Sequence, residues 1–371
     1  MRIAQVSPLY ETTPPALYGG TERVVATLTD ALVKLGHEVT LFATADSGTT
    51  ANLVACRDRA IRLDPELSWD LPAHMAMMDE VRRRADDFDI IHFHTDCLQM
   101  AMFEDIAEKT VTTLHGRQDI EDMQRFLRRF PNFPLVAISR SQQSHIPFAN
   151  VVSIIHHGID AYQLLPVENP TGDYLAFLGR ISPEKRPDRA IRIARQTGLP
   201  LRIAAKVDVP DRAYFHDVIE PLLGDGVEFI GEIDEARKPE FLGNARALLF
   251  PIDWPEPFGL VMIEAMACGT PVITYPHGAA AEIVEDDITG FQVQSIEEAA
   301  DAVRQCHRLS RRLIRARFAQ RFADTVMAKA YVATYESLLD AAAERRTGMA
   351  TKELVAARQS GADASARTMR S

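Results

Sequence analysis

Two short segments carry residues with the chemistry to hold an anion. The first is WPEPFGLVMIEAMACGTPVI, residues 254–273. Pro255 and Pro257 flank Glu256 and fix it in an extended loop. A helix is predicted from about 258 to Cys268, with Gly269 as its C-cap and Pro271 stopping continuation. The first turn of such a helix leaves the backbone N–H groups of Phe258, Gly259 and Leu260 unpaired, and with the helix dipole they form an anion site. Gly259 lets a ligand approach the backbone closely. Glu264, one turn further in, can accept two hydrogen bonds from a diol such as a ribose. A helix with a surface carboxylate is the simplest alternative. The proline-fixed loop, the glycine at the helix start and the capped end argue together for a site.

The second segment is LAFLGRISPEKRPDRAIRIA, residues 175–194. Arg180 follows a predicted strand at its carboxyl end, and Lys185 comes five residues later in the same loop. An arginine fork and a lysine point charge placed there can clamp a diphosphate. Arg186, Arg189 and Arg192 read as surface charge.

The elements that must position these residues follow from hydrophobic periodicity. Short apolar runs alternate with amphipathic stretches along the whole chain. Residues 2–6 read as a buried strand, and a loop ends at Gly19 and Gly20. Val24, Val25, Leu28, Ala31, Leu32 and Leu35 then recur at helical spacing, with Gly36 as a cap. Further strands are predicted at 39–43, 90–93, 111–114, 135–138 and 151–155. The polar stretch PVENPTGD (166–173) reads as a linker. The pattern then restarts, with strands at 174–178, 201–205, 227–230, 247–251 and 271–274 and a helix at 188–197. The fold class is α/β: two facing Rossmann-like, doubly wound parallel sheets with a central cleft. The predicted domains are 1–167, rejoined by a helix at about 325–346, and 168–324. Residues 347–371, small, polar and aperiodic, read as a disordered tail. Ligands of such sheets bind outside the carboxyl ends of the strands, so two facing sheets make a cleft suited to two substrates.

Composition sets the outer bounds. A chain of 371 residues exceeds what one compact core usually supports. With 46% hydrophobic and 25% charged residues it is globular. A net charge of −11 disfavours nucleic acid as a partner. Cys56, Cys97, Cys268 and Cys306 form no CxxC pair, so reduced thiols and a cytoplasmic setting are expected. The N-terminus lacks a signal-peptide pattern, and no apolar run approaches the roughly 20 residues of a membrane span.

The spacing of Glu256 and Glu264 matches the EX7E motif of retaining glycosyltransferases. With Gly179, Arg180 and Lys185, the chain resembles glycosyltransferase family 4, whose fold is GT-B. YGGTERVV at 18–25, His115–Gly116 and HHGID at 156–160 are also typical of bacterial members. The resemblance covers residues 1 to about 339. It implies that Arg180 and Lys185 neutralise the donor diphosphate. The backbone of Phe258, Gly259 and Leu260 would hold diphosphate and sugar, and Glu264 the ribose. Glu256 would face the donor sugar, and His115 would lie beside it. Gly19 and Gly20 would close over sugar and phosphate. Base contacts would come from the segment near Ile230 to Ile233, Gly231 included, mostly through backbone. The loop HGAAAEIV (277–284) keeps Gly278 and Glu282 but has Ala279 where many relatives have a second glycine, which puts a donor contact there in question. The resemblance further implies transfer with retention, with no protein nucleophile. The departing phosphate oxygen takes the acceptor's proton. Separately, the DxD triplet at 87–89 precedes its strand at the amino end, so no metal or other cofactor is expected to be required. UDP and glucose are the preferred donor parts by family frequency.

Other signals have simpler explanations. Asp87–Phe88–Asp89 is a DxD triplet but precedes a strand, away from the expected cleft. His92 and His94 share one strand face, as metal-binding pairs do, but no third ligand is evident. Packing or cleft lining explains them better, and His94 and Asp96 are candidate acceptor contacts. Basic clusters at 82–84, 125–130 and 311–321 read as solvated faces, with peripheral membrane contact as the alternative. GxGxxG and P-loop motifs are absent. Two other functions fit two Rossmann-like domains: a nucleotide-sugar epimerase-like enzyme and an inactive sugar-nucleotide-binding homologue.

Overall fold

The computed structural model describes residues 1–17 and 19–368, the side chains of Arg346 and 348–368 aside. Among the described residues the chain forms two parallel sheets. The first contains β1 (Arg2–Val6), β2 (Glu38–Thr44), β3 (Asn52–Arg57), β4 (Ile90–Phe93), β5 (Thr110–Thr113), β6 (Leu135–Ala137) and β7 (Val151–Ile154). Their spatial order is β3-β2-β1-β4-β5-β6-β7. The second contains β8 (Leu175–Arg180), β9 (Leu201–Lys206), β10 (Val227–Gly231), β11 (Ala247–Phe250), β12 (Val272–Thr274) and β13 (Gly290–Gln292). Their order is β10-β9-β8-β11-β12-β13. Both are doubly wound, with the order reversing at β1/β4 and β8/β11, where such sheets open a crevice.

The periodicity places the central strands within a residue or two. It misses β3 and β13, which lie at sheet edges. β3 is half-exposed and β13 is three residues long, so neither carries the continuous apolar run of a doubly covered strand.

The last helix, Asp324–Thr368, returns to the first domain. Met327, Ala328, Tyr331, Tyr335 and Leu338 bury themselves against Ile3, Val24, Leu28, Val39 and Val111. The crossing is pinned beside the linker: Ile159 N donates to Phe322 O at 3.0 Å and Asp324 N to Ile159 O at 2.9 Å. The backbone of 347–368 is helical where a structureless tail is predicted, because the alanines and long unbranched side chains of the segment are good helix formers. Residues 369–371 lie outside the described residues. Among those described, no helix is long and apolar enough to cross a membrane.

Candidate active site

A cleft of about 600 Å³ separates the two sheets. Gly19, Gly20, His94, Asp96 and His115 line its first-domain wall. Arg180, Lys185, Glu256, Phe258, Gly259, Leu260 and Glu264 line the opposite wall. Residues up to 245 positions apart in sequence thus meet at one site.

The second-domain wall is built on the Leu260–Ala267 helix. Gly259 precedes it with φ +88°, and an added Cβ would lie 2.6 Å from Met262 Cε and 3.2 Å from Phe250 Cζ. Only glycine takes that turn without strain. The proline-fixed loop holds Glu256 8% exposed. Glu256 Oε2 accepts from Lys185 Nζ and, at 2.9 Å, from Trp254 Nε1. The Lys185 ammonium sits 4.7 Å from the Trp254 ring centroid, a cation–π contact. Arg180 pairs with Glu184 and lies 3.7 Å from both Asp208 and Asp211. Both cations are therefore held by carboxylates at the carboxyl end of β8.

Glu264 is 2% exposed. Its Oε1 accepts from Lys238 Nζ at 2.7 Å, while its Oε2 is buried with no partner. A buried carboxylate oxygen left unpaired is costly, so a ligand donor would be welcomed there. Lys238 also pairs with Glu235, and Glu235 meets Arg23 of the first domain at 2.7 Å. This Arg23–Glu235–Lys238–Glu264 chain crosses the cleft. Sequence reading misses Lys238, Glu235 and Trp254. Lys238 and Glu235 sit in an ordinary polar helix start, and only the fold brings them to Glu264.

The loop after β12 packs against the Glu256 turn. Gly278 has φ +63°, and an added Cβ would overlap the backbone N and O of Glu256. Ala279 N donates to Glu256 O at 2.8 Å. Glu282 accepts from Arg140 N at 2.9 Å and Ser141 N at 2.7 Å in the first domain. The loop braces the Glu256 turn and joins the domains.

On the first-domain wall the histidines form a buried network. His94 is 2% exposed. Its Nδ1 lies 2.8 Å from His115 Nε2 and its Nε2 lies 2.8 Å from Gln5 Oε1. Both nitrogens of His94 thus have protein partners. Burial pushes the His115 imidazole down to about 3, so the ring is neutral at ordinary pH. His115 stacks on His157, centroids 5.1 Å apart. Asp96 does line the cleft, with φ +51° and Oδ1 buried without a partner, and burial raises its pKa. The segment from β10 onward reaches the cleft in part. Glu232 and Ile233 reach the cleft wall, whereas Ile230 packs against the core and Gly231 turns the chain at φ +72°. Asp89 of the DxD triplet pairs with Arg2 at 2.8 Å, at the amino end of β1.

Two facing parallel-sheet α/β domains with a cleft between them define a GT-B fold. Residues 18–162 match the family described as Glycosyltransferase Family 4, and residues 166–321 match Glycosyl transferases group 1. The chain belongs to glycosyltransferase family 4 and is a glycosyltransferase, which removes the epimerase-like alternative. It is 28% identical to the glycogen synthase of Mycobacterium tuberculosis over 349 residues, 78% of this chain and 81% of that protein. Sucrose-phosphate synthase from Thermosynechococcus elongatus is similar in fold, with TM-score 0.76 and 19% identity over 92% of this chain and 99% of that one. The Anabaena protein HepE, solved in complex with UDP and glucose, has TM-score 0.71 and 19% identity over 91% of this chain and 100% of that one.

Proposed function

We propose that this chain transfers a hexose, glucose by preference, from a UDP-sugar to an acceptor with retention and without a metal. The observation that carries the reading is the buried, unpartnered Oε2 of Glu264, a residue that lines the same cleft as Arg180 and Lys185. Ribose hydroxyls donate to Glu264. The diphosphate lies between Arg180, Lys185 and the amides of Phe258, Gly259 and Leu260, so that cations already in the wall meet its charge. Lys185 then bridges Glu256 and the phosphate, and Glu256 faces the donor sugar. Gly19 and Gly20 close over sugar and phosphate from the first domain, and His115 touches the sugar. The leaving phosphate oxygen takes the acceptor hydroxyl's proton on the face from which it departs. The protein contributes positioning and charge stabilisation. The UDP-bound Anabaena protein supports the choice of uridine, and the glycogen synthase relative supports a glycan-type acceptor. Four cysteines without a disulfide fit a cytoplasmic setting. The basic faces leave peripheral membrane contact as a second arrangement if the acceptor is a lipid.

Thermal unfolding with UDP, GDP, ADP and their sugar conjugates tests the donor. Ligand at 100 times its dissociation constant adds about 2.7 kcal/mol of stability. A shift with uridine compounds alone is expected. A shift with another base alone replaces the donor, and no shift with any brings the inactive-homologue reading forward.

A further inference from the structure

Behind the cleft wall runs a hydrogen-bonded line that neither family membership nor the donor site requires. His94 Nδ1 meets His115 Nε2, and His94 Nε2 meets Gln5 Oε1, each at 2.8 Å. Gln5 Nε2 lies 3.2 Å from the Tyr335 hydroxyl and 3.4 Å from His92 Nδ1. The Tyr335 hydroxyl meets His92 Nδ1 at 2.7 Å, and His92 Nε2 meets Thr113 Oγ1 at 2.7 Å. Gln5, His92 and Tyr335 are wholly buried.

Hydrogen-bond counting gives this line a direction. The Gln5 amide nitrogen donates to the Tyr335 hydroxyl and lies beside His92 Nδ1, which places the amide oxygen against His94 Nε2. The Gln5 oxygen therefore points at His94 and can only accept. His94 is neutral, so its proton is on Nε2 and its Nδ1 is a lone pair. His115 must then donate from Nε2, and its remaining nitrogen, Nδ1, is a lone pair left for the cleft that the ring lines.

We infer that His94 is a positioning residue: with Gln5 behind it, it fixes His115 in the Nε2–H tautomer, so that His115 accepts a hydrogen bond from a hydroxyl of the donor sugar. The inference rests on the placement of His115 beside that sugar. The titratable groups facing His115 are His94 and, beyond it, His92 from β4, His157 from the loop after β7, and the Asp96 carboxyl near its backbone N–H. Burial keeps the three neighbouring imidazoles neutral, so no adjacent histidine cation disturbs the arrangement.

The tautomer can be read without turnover. Long-range ¹H–¹⁵N spectra of the full chain, with the His115 signals assigned by their loss in His115→Ala, are expected to show a protonated Nε2 and a bare Nδ1. A protonated Nδ1 overturns the inference, and this measurement stands even if a His94 variant fails to fold. His94→Ala is expected to lower kcat/KM with UDP-glucose by roughly tenfold or more, one misaligned hydrogen bond. It should also add an acidic limb to the pH profile as the released ring titrates. In a His115→Ala background the same change is expected to have no further effect, and an equal loss in both backgrounds overturns the inference. Full-rate transfer by His115→Ala refutes the sugar contact while leaving the transferase reading intact. Absence of turnover with every nucleotide sugar sinks that reading and leaves the tautomer result standing.

Discussion

Lys238 offers the most direct test of the ion chain that crosses the cleft. Its ammonium bridges Glu235 and Glu264, with side-chain exposures of 10%, 21% and 3%. Lys238→Met keeps the volume and removes the charge. Glu264 would then be a carboxylate with one oxygen stripped of its donor and the other already unpartnered. Breaking a buried pair on one side destabilises by about 3–5 kcal/mol, far more than the pair itself contributes. Glu235 keeps Arg23 at 2.7 Å, so the loss falls mainly on Glu264. The chain has two tryptophans. In a Trp69→Phe background, Trp254 is therefore the single tryptophan and reports from the second-domain wall of the cleft. Urea unfolding followed at Trp254 is expected to lose about 3–5 kcal/mol in Lys238→Met. Adding Glu264→Gln removes the stranded charge and is expected to restore at least half of that. Unchanged stability in Lys238→Met, or a double variant equal to the sum of the singles, refutes the reasoning.

Acid should destabilise the fold through the buried histidines. His92, His94, His115 and His157 all have folded values below the ordinary 6.5, His115 at about 3, because burial disfavours the cation. Below 6.5 the unfolded chain binds the protons that the folded chain refuses. Their contribution is thus complete above 6.5 and falls with pH, by about 1.4 kcal/mol per unit for each ring. Denaturant midpoints between pH 8 and 5 check this, and a flat profile contradicts it. Gly278→Ala is expected to displace the Glu256 turn and lower kcat by roughly a hundredfold, as misplacement of about 1 Å can; wild-type kinetics would refute the bracing role. Arg180→Ala and Lys185→Ala should each weaken UDP binding at least about tenfold, the size of one charge-assisted contact. Unchanged affinity in calorimetry for both removes the clamp. Transfer should persist in excess EDTA; loss of activity that magnesium or manganese restores overturns the metal-free proposal.

What the sequence determines here is local. The alternation that yields two doubly wound sheets, the turn that fixes Glu256, the Gly259 helix start and the Arg180/Lys185 loop depend on neighbours within about twenty residues. Spacing, proline and glycine carry that information directly. Edge strands β3 and β13 escape it because half-covered strands lack a distinctive run, and the helical backbone of 347–368 escapes it because propensity, rather than periodicity, sustains that segment. The long-range pairings were decided by the tertiary structure. Arg23 meets Glu235, Lys238 meets Glu264, and Glu282 meets the amides of Arg140 and Ser141 only after two sheets face each other. His94, a candidate acceptor contact by its place at a strand end, becomes a buried link because Gln5 and His115 occupy its two nitrogens. A side chain's type limits the bonds it can make, but the partners that satisfy those bonds come from distant strands, and only packing brings them within reach.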